Sequence, residues 1–187
     1  MKQFPQLKDG LNIRLRLIQP GDAAYVVGLR TNPAYGRHLS TVAGTVADQC
    51  DWINQYKLRE QTGIEAYYII ERRNDNYPCG TIRIYDIKSD RFTWGSFVLD
   101  QSKPSKAALE AALLSFEIGF LFLDLPLALV DVRIANQRAA DFYLRLGMQE
   151  IQRSDEDIYL EFKRHTFEES HRALWDIICE SQSYENP

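Results

Sequence analysis

The chain has 187 residues, of which 45% are hydrophobic and 26% are charged, enough to bury one substantial core. Its formal net charge of -4 argues against a general nucleic-acid binder, because such domains usually carry net positive charge that neutralises phosphates.

The N-terminal part is predicted to form one strand and two helices. From Asn12 to Ile18 apolar and basic residues alternate, the period-two pattern of a half-buried strand. A helix follows over Asp22–Arg30, with the aspartate placed to cap it. A second helix starts near Thr45, whose hydroxyl can cap it while Asp48 supplies the acid of a capping box.

The central part is predicted to form an antiparallel pair and then a strand, helix, strand crossover. The paired strands are Ala66–Ile70 and Thr81–Ile87, both rich in Ile and Tyr. The crossover consists of a strand over Phe92–Leu99, an amphipathic helix over Ala107–Phe120 and an apolar strand over Pro126–Ile134.

A further amphipathic helix is predicted over Asn136–Leu146, ended by Gly147 as a left-handed cap, with two more strands over Met148–Phe162. These elements predict a single α/β (α+β) domain whose mixed sheet has helices on both faces. The domain is expected to span residues 1–164.

Residues 165–187 are predicted to form a C-terminal helical extension outside the shared core, with a capping box made by Thr166 and Glu169. An apolar stripe recurs along one face at helical spacing: Phe167, His171, Leu174, Trp175 and Ile178. Such a stripe must pack on this domain or on a second copy, so the chain is expected to be a monomer or a homodimer.

The composition favours a cytoplasmic protein without a metal site. Cys50, Cys79 and Cys179 lie far apart with no CxxC pair, so neither a zinc site nor a disulfide framework is predicted. The N-terminus lacks the apolar core of a signal peptide, and proline and aspartate interrupt the most apolar stretch, so no membrane span is expected.

The order of elements and the segment Asn136–Met148, NQRAADFYLRLGM, resemble the GNAT superfamily of acetyl-CoA-dependent N-acetyltransferases. The family pattern is Asn, a small residue, Phe-Tyr and a terminal Gly-Phe, with Met148 here in place of Phe. The resemblance covers about Leu11–Phe162. It implies a twisted, mostly antiparallel sheet with a splayed pair of central strands.

Asn136 and Tyr143 lie two turns apart on one helix face, so a single extended cofactor can touch both. The resemblance implies that Asn136 and Ala139 lie near the pantetheine arm. It also implies that the Tyr143 hydroxyl lies near the thioester sulfur, as the catalytic acid. The alternative is that Asn136 only caps its helix and Tyr143 packs in the core with a bonded hydroxyl.

The family places a glycine-rich, pyrophosphate-binding turn where this chain has Lys103, Ser105, Lys106, Ala107 and Ala108, with no glycine. Backbone amides at a helix N-terminus bind anions without needing positive φ, and the two lysines add positive charge. The alternative is an ordinary solvated helix start.

The strand residues Phe97, Val98 and Leu99 are expected to pair with the pantetheine amides, as another strand would. Gly95 is expected to mark the bulge that splays this strand from the next. Some family members carry a glutamate near the position of Thr93 as general base. No aspartate or glutamate lies there, so the general base is expected to be a water molecule or an acidic residue from elsewhere in the chain.

Candidate acceptor-binding residues are Tyr35 and His38, on the loop that borders the acceptor site in the family, and Trp94 on the central strand. His38 is a candidate catalytic base, and the alternative is a solvated surface residue.

The resemblance implies acetyl transfer from acetyl-CoA to a primary amine by direct attack, without a metal. The acceptor is expected to be an amino sugar, a small amine or a protein N-terminus. The competing hypothesis is a catalytically degenerate acyl-CoA-binding module with a regulatory or interaction role, which the missing glycines and the missing strand carboxylate motivate.

Overall fold

A computed structural model describes residues 3–36 and 44–182. Its strands form one sheet in the order β1-β2-β3-β4-β5-β6-β8-β7, in which β5 and β6 are parallel and every other neighbouring pair is antiparallel. The strands are β1 (Leu7–Asp9), β2 (Ile13–Leu17), β3 (Ala66–Arg72), β4 (Pro78–Tyr85), β5 (Phe92–Leu99), β6 (Leu127–Arg133), β7 (Gln149–Arg153) and β8 (Asp157–Lys163). The predicted mixed, mostly antiparallel fold is confirmed.

The helices lie on both faces of this sheet. They are α1 (Ala23–Thr31), α2 (Pro33–Gly36), α3 (Val46–Gln61), α4 (Ala107–Phe116), α5 (Gln137–Arg145) and α6 (Arg164–Gln182), with a 3-10 turn at Pro20–Asp22. A π-helical turn over Glu117–Phe122 follows α4, where the sequence predicted continued α-helix. Gly119 packs so closely on Phe92 in this turn that an added Cβ would overlap the phenyl ring.

Two cores hold the layers together. The larger lies between the sheet and α4, α5 and α6, and it is filled by aromatic rings at Phe92, Phe116, Phe120, Phe162 and Phe167. The smaller packs α1 and α3 on the other face. Phe167 and Ile178 of α6 are fully buried, so this helix packs on the domain itself.

The predicted helix caps have mixed outcomes. Thr45 and Asp48 form the predicted capping box, since the Asp48 amide donates to Thr45 Oγ1 at 3.2 Å and the Thr45 amide donates to Asp48 Oδ2. The capping prediction for Asp22 is wrong, because its carboxylate accepts from the Gln19 amide and the Arg16 guanidinium instead.

At the C-terminal side, Gly147 has a φ of +99°, in the left-handed region as predicted. The capping box predicted at Thr166 and Glu169 is wrong, because α6 begins at Arg164, directly after β8. Among the helices described here, none is both long and apolar enough to cross a membrane.

The splayed pair of central strands is present. β5 and β6 share only two register positions, Phe92 with Ala128 and Thr93 with Leu129, and then diverge. On its other side β5 bulges at Ser96 and Phe97, both of which oppose the single β4 residue Ile82. Gly95 directly precedes this bulge, but the residue with positive φ, +48°, is Ser96.

Candidate active site

A cleft of about 230 Å³ opens where β5 and β6 separate. Its walls are Gly95–Val98 of β5, Asp131–Arg133 of β6 and two residues of the following segment, Asn136 and Tyr143. It brings together five of the residues predicted from the sequence: Tyr35, Phe97, Val98, Asn136 and Tyr143. The bulge and the strand separation therefore create the space in which the predicted residues meet.

Tyr143 lies on α5 with its ring almost entirely buried, 7% exposed, at the wall of the cleft. Its ring meets that of Trp94 edge-on, with centroids 5.4 Å apart and planes at 84°. The hydroxyl has no hydrogen-bond partner among the residues that the structure describes. Burial raises the pKa of this phenol above its ordinary value, and the negative charge of Asp131 raises it further. The hydroxyl is therefore protonated at neutral pH and free to donate.

Trp94 does not occupy the substrate-binding position expected for it. Its side chain is fully buried, its indole N–H donates to Ser115 Oγ, and its ring stacks on Phe116 at 4.9 Å. The alternation of β5 directs this side chain into the core behind the cleft. Its ring therefore contacts Tyr143 from the core and is not among the groups that line the cleft.

Asn136 caps its helix and also lies at the wall of the cleft. Its side-chain oxygen accepts a hydrogen bond from the Ala139 amide at 3.4 Å at the start of α5, and the residue also lines the cleft. Ala139 and Leu99 are half-buried and pack against the larger core. Neither residue is among those that line the cleft.

The turn before α4 differs from expectation in its backbone. Lys106, the N-cap residue, has a φ of +58°, the left-handed conformation that glycine adopts most easily. The Ala107 amide donates to the Pro104 carbonyl at 3.3 Å, whereas the amides of Lys106, Ala108 and Leu109 meet no protein acceptor in the described ranges. Lys103, Ser105 and Lys106 are exposed beside these open amides. The turn thus has the features of an anion site.

Two tyrosines from the N-terminal helices form hydrogen bonds with the segment just before this turn. The Tyr25 hydroxyl donates to Asp100 Oδ2 at 2.9 Å, while Asp100 Oδ1 accepts from the Ser102 amide at 2.7 Å. The Tyr35 hydroxyl accepts from the Gln101 amide at 3.3 Å, so Tyr35 connects the cleft wall to the turn. His38 lies outside the described residues.

Asp131 was not among the candidates drawn from the sequence. It lies on β6, exposed at the cleft, and the cleft walls withdraw its carboxylate partly from bulk water. This desolvation raises the pKa of the carboxyl, and the nearby charge of Asp157 raises it further. The sequence signal was an acidic residue interrupting an otherwise apolar strand.

Tyr85 was also missed by the sequence analysis. Burial, with a smaller contribution from Asp131, raises the pKa of this phenol to about 12. Its ring packs under the Arg83 guanidinium, 4.7 Å from the centroid, and an added Cβ on Gly95 would lie 3.2 Å from its hydroxyl. The glycine therefore lets Tyr85 lie across β5 and reach the cleft.

A second pocket of about 250 Å³ adjoins the cleft, and Tyr85 and Asp131 line both. Thr93, Leu129 and Tyr159 also line the second pocket. Within the described part of the chain, no group of His, Cys, Asp and Glu side chains is arranged to hold a metal ion. The groups available for binding or proton transfer are the buried phenol of Tyr143, the carboxylate of Asp131 and the open backbone amides at the start of α4.

The model of the acetyltransferase (GNAT) domain family matches residues 12–149. Among solved structures, apo FdhC, a nucleotide-linked sugar GNAT, is 34% identical with a TM-score of 0.82, over 94% of this chain and 99% of that one. Comparison with curated protein sequences gives no significant match.

More distant structures share the fold alone. The ribosomal-protein-S5-alanine acetyltransferase from Vibrio fischeri is 13% identical, with a TM-score of 0.73 over 84% of this chain and 96% of that one. A chimera of spermidine N-acetyltransferase SpeG from Vibrio cholerae and hSSAT is 14% identical, with a TM-score of 0.73 over 84% and 98% of the two chains.

Proposed function

The chain belongs to the GNAT acetyltransferase family, and we propose that it transfers an acetyl group from acetyl-CoA to the primary amine of a nucleotide-linked amino sugar. The observation that carries the chemistry is the Tyr143 hydroxyl, a buried donor without a partner among the described residues, at the wall of the cleft. The choice of acceptor rests on the 34% identity to a nucleotide-linked sugar GNAT.

The residues present fit acetyl-CoA as co-substrate. Beyond Thr93, the side of β5 that faces β6 has no strand partner, so its backbone is open to the pantetheine amides. The open amides of Ala108 and Leu109 and the charge of Lys106 suit the pyrophosphate, because the helix dipole favours an anion there. These groups hold one extended molecule along the cleft.

In the proposed reaction the neutral amine attacks the thioester carbonyl carbon, forming the C–N bond. As the C–S bond breaks, Tyr143 donates its proton to the sulfur, so that a thiol and not a thiolate leaves. Because burial raises the pKa of Tyr143, the phenol remains protonated throughout the neutral range. Trp94 and α5 keep the phenol oriented toward the cleft.

The residues that line the cleft suit a polar acceptor that carries a diphosphate. Two arginines, Arg30 and Arg133, line it together with Tyr35 and Tyr85, so guanidinium groups, hydroxyl groups and aromatic faces border the space. Guanidinium groups bind phosphates through several donors, and tyrosine combines an apolar ring with a polar tip.

The test measures thiol release from acetyl-CoA with purified protein and a panel of acceptors. The panel contains nucleoside-diphosphate-linked amino sugars, free glucosamine, spermidine and a peptide with an alanine N-terminus. We expect the highest kcat/KM with a nucleotide-linked amino sugar, and no release with the corresponding hydroxyl sugars.

Two results would contradict the proposal in different ways. Faster turnover of spermidine or the peptide would assign another acceptor class. A melting temperature raised by acetyl-CoA without release from any acceptor would favour the binding module, since ligand binding alone stabilises the fold.

A further inference from the structure

We propose that the amino-bearing ring of the acceptor occupies the second pocket and that Asp131 binds its ammonium group and accepts its proton. This inference rests on the proposed function and names the acceptor subsite and the general base within it. Asp131 and Tyr85 are the two residues common to the cleft and the second pocket, so an amine held by Asp131 lies where the two spaces join.

The strand register explains why these side chains share one face. Thr93 lies beside Leu129 in the parallel pair, and Asp131, two residues further along β6, projects to the same side. On the neighbouring strand β8, Tyr159 is the register partner of Asp131. A ring in this pocket therefore has Leu129 beneath it, with hydroxyl groups and the carboxylates of Asp86 and Asp131 around its edge.

The charges around Asp131 leave its carboxylate available. The neighbouring cation, Arg133, forms its ion pairs with Glu156 and Asp157 of the adjoining hairpin and not with Asp131. Asp131 itself forms no ion pair within the described ranges. The other titratable groups that border the two spaces are two residues from the N-terminal helices, two carboxylates and three phenols: Arg30, Tyr35, Asp86, Asp157, Tyr85, Tyr143 and Tyr159. A cationic amine would thus be the missing partner of this carboxylate.

Tyr143 provides an independent indication that the reaction takes place at this junction. Its hydroxyl is a buried donor with no described partner, and it lines the same cleft as Asp131. A base at one wall and an acid at another, with a gap between them, match the two proton transfers that amide formation requires.

The protons balance as follows. The ammonium gives one proton to Asp131, which passes it to solvent, and the resulting lone pair forms the C–N bond. When the C–S bond breaks, the sulfur takes the proton of Tyr143. The nitrogen loses its second proton as the amide forms, and that proton restores the phenol through solvent. The net products are the amide, the free thiol and one released proton.

The test compares Asp131→Asn with Asp155→Asn, a matched control on the exposed β7–β8 turn that lines neither pocket. The probes are the panel member with the highest kcat/KM and its nucleotide-linked counterpart that carries a hydroxyl in place of the amine. We expect Asp131→Asn to lower kcat by about a hundredfold to ten-thousandfold, the range for a positioned base, whereas the control stays at the parent rate.

A pH profile separates a base from a merely structural residue. The pKa of Asp131 is raised, so the parent kcat should fall as acidification protonates this group, at a pH above the ordinary aspartate range near 4. Without the base, only amine that is already neutral reacts. In Asp131→Asn the pH below which kcat falls should therefore rise toward the pKa of the free amine. Calorimetry without acetyl-CoA should show that the variant no longer prefers the amino sugar to the hydroxyl sugar.

A second variant, Leu129→Trp, fills the proposed ring subsite. It should abolish binding of the amino sugar while acetyl-CoA still raises the melting temperature. If the parent acetylates the sugar but Asp131→Asn keeps both rate and pH profile, or Leu129→Trp keeps acceptor affinity, this inference is wrong. If the parent acetylates no amino sugar at all, the proposed function itself has failed.

Discussion

The indole N–H of Trp94 donates a hydrogen bond to Ser115 Oγ at 2.8 Å, and both residues are fully buried. This bond fixes the central strand β5 to α4, and the same indole ring supports Tyr143 of α5 edge-on. The Trp94 side chain therefore links three elements, β5, α4 and α5. The position of the proposed acid depends on how well this indole is held.

Replacing Trp94 with Phe should lower both stability and turnover. The variant loses a buried hydrogen bond, worth about 1 kcal/mol, and leaves a cavity beside Tyr143 that adds about 1–3 kcal/mol. We expect a lower melting temperature and a lower kcat, with acetyl-CoA affinity retained. Trp175→Phe is a matched control, because its indole N–H donates to Glu117 at 3.0 Å, away from the cleft. Equal kcat losses in both variants would contradict a positioning role for Trp94.

Lys106 combines a left-handed backbone with a positive charge, and two substitutions separate these properties. Glycine adopts the positive φ of this position more easily than lysine, but it also raises the conformational entropy of the unfolded chain. The net change in the free energy of unfolding in Lys106→Gly should therefore be below about 1 kcal/mol. This substitution should weaken acetyl-CoA binding only through the lost charge. Lys106→Glu should weaken binding further by repulsion of the pyrophosphate.

Isothermal titration with acetyl-CoA measures both effects. Lys88→Glu, on an exposed loop, controls for the change in net charge. Wild-type affinity in Lys106→Glu would show that the pyrophosphate does not bind at the start of α4.

The sequence predicted the fold well wherever a periodic pattern or a capping motif marked an element, as in β2, α5 and the Thr45 capping box. It missed β1, because the three residues of Leu7–Asp9 are too few to show a strand period. It read the π-helical turn after α4 as α-helix, since the apolar pattern continues through it and only the packing of Gly119 on Phe92 distinguishes the two.

The site was partly predictable for the same physical reason. Asn136 and Tyr143 are linked by one helix, so their shared face follows from spacing alone. Asp131 and Tyr85 come from different strands and meet only because of the sheet register and the divergence of β5 from β6. Trp94 was assigned to the substrate because its strand was known but not which face of the strand is buried.

Glu117 links α6 to the rest of the domain, and its ionisation should make that attachment pH-dependent. Burial opposes its charge, but bonds from Lys8 at 2.6 Å, His171 at 2.8 Å and Trp175 at 3.0 Å outweigh this and lower the pKa of the carboxyl. Because the folded-state pKa is lowered, the stabilisation is complete above the unfolded value of about 4.3 and is lost as the pH falls through the folded value.

Glu117→Gln should therefore reduce the loss of stability on acidification. Melting temperatures measured from pH 7 to pH 3 should fall less steeply below about pH 4 in the variant than in the parent protein. Glu169→Gln, exposed on α6, is the matched control and should follow the parent curve. Parallel curves for Glu117→Gln and the parent would refute the role of this carboxylate.

Tyr143→Phe tests the proposed acid with the smallest change that the site allows. The phenyl ring keeps its edge-on contact with Trp94, and the lost hydroxyl leaves no described group without its hydrogen bond, so the melting temperature should change little. Without a proton to donate, turnover should fall by roughly a hundredfold to ten-thousandfold. The loss should lie in kcat, with acetyl-CoA affinity nearly unchanged, because the proton is needed only as the C–S bond breaks.

The result also distinguishes the two roles considered for this residue. Burial raises the pKa of the phenol, so the parent rate should show no loss from Tyr143 ionisation up to at least about pH 9, which a pH profile of kcat can check. A variant that turns over at the parent rate would mean that the thiolate leaves unaided or takes its proton from water. A variant that unfolds would mean that Tyr143 serves the core, in which case Asp131→Asn and the pH profile decide whether this cleft is catalytic.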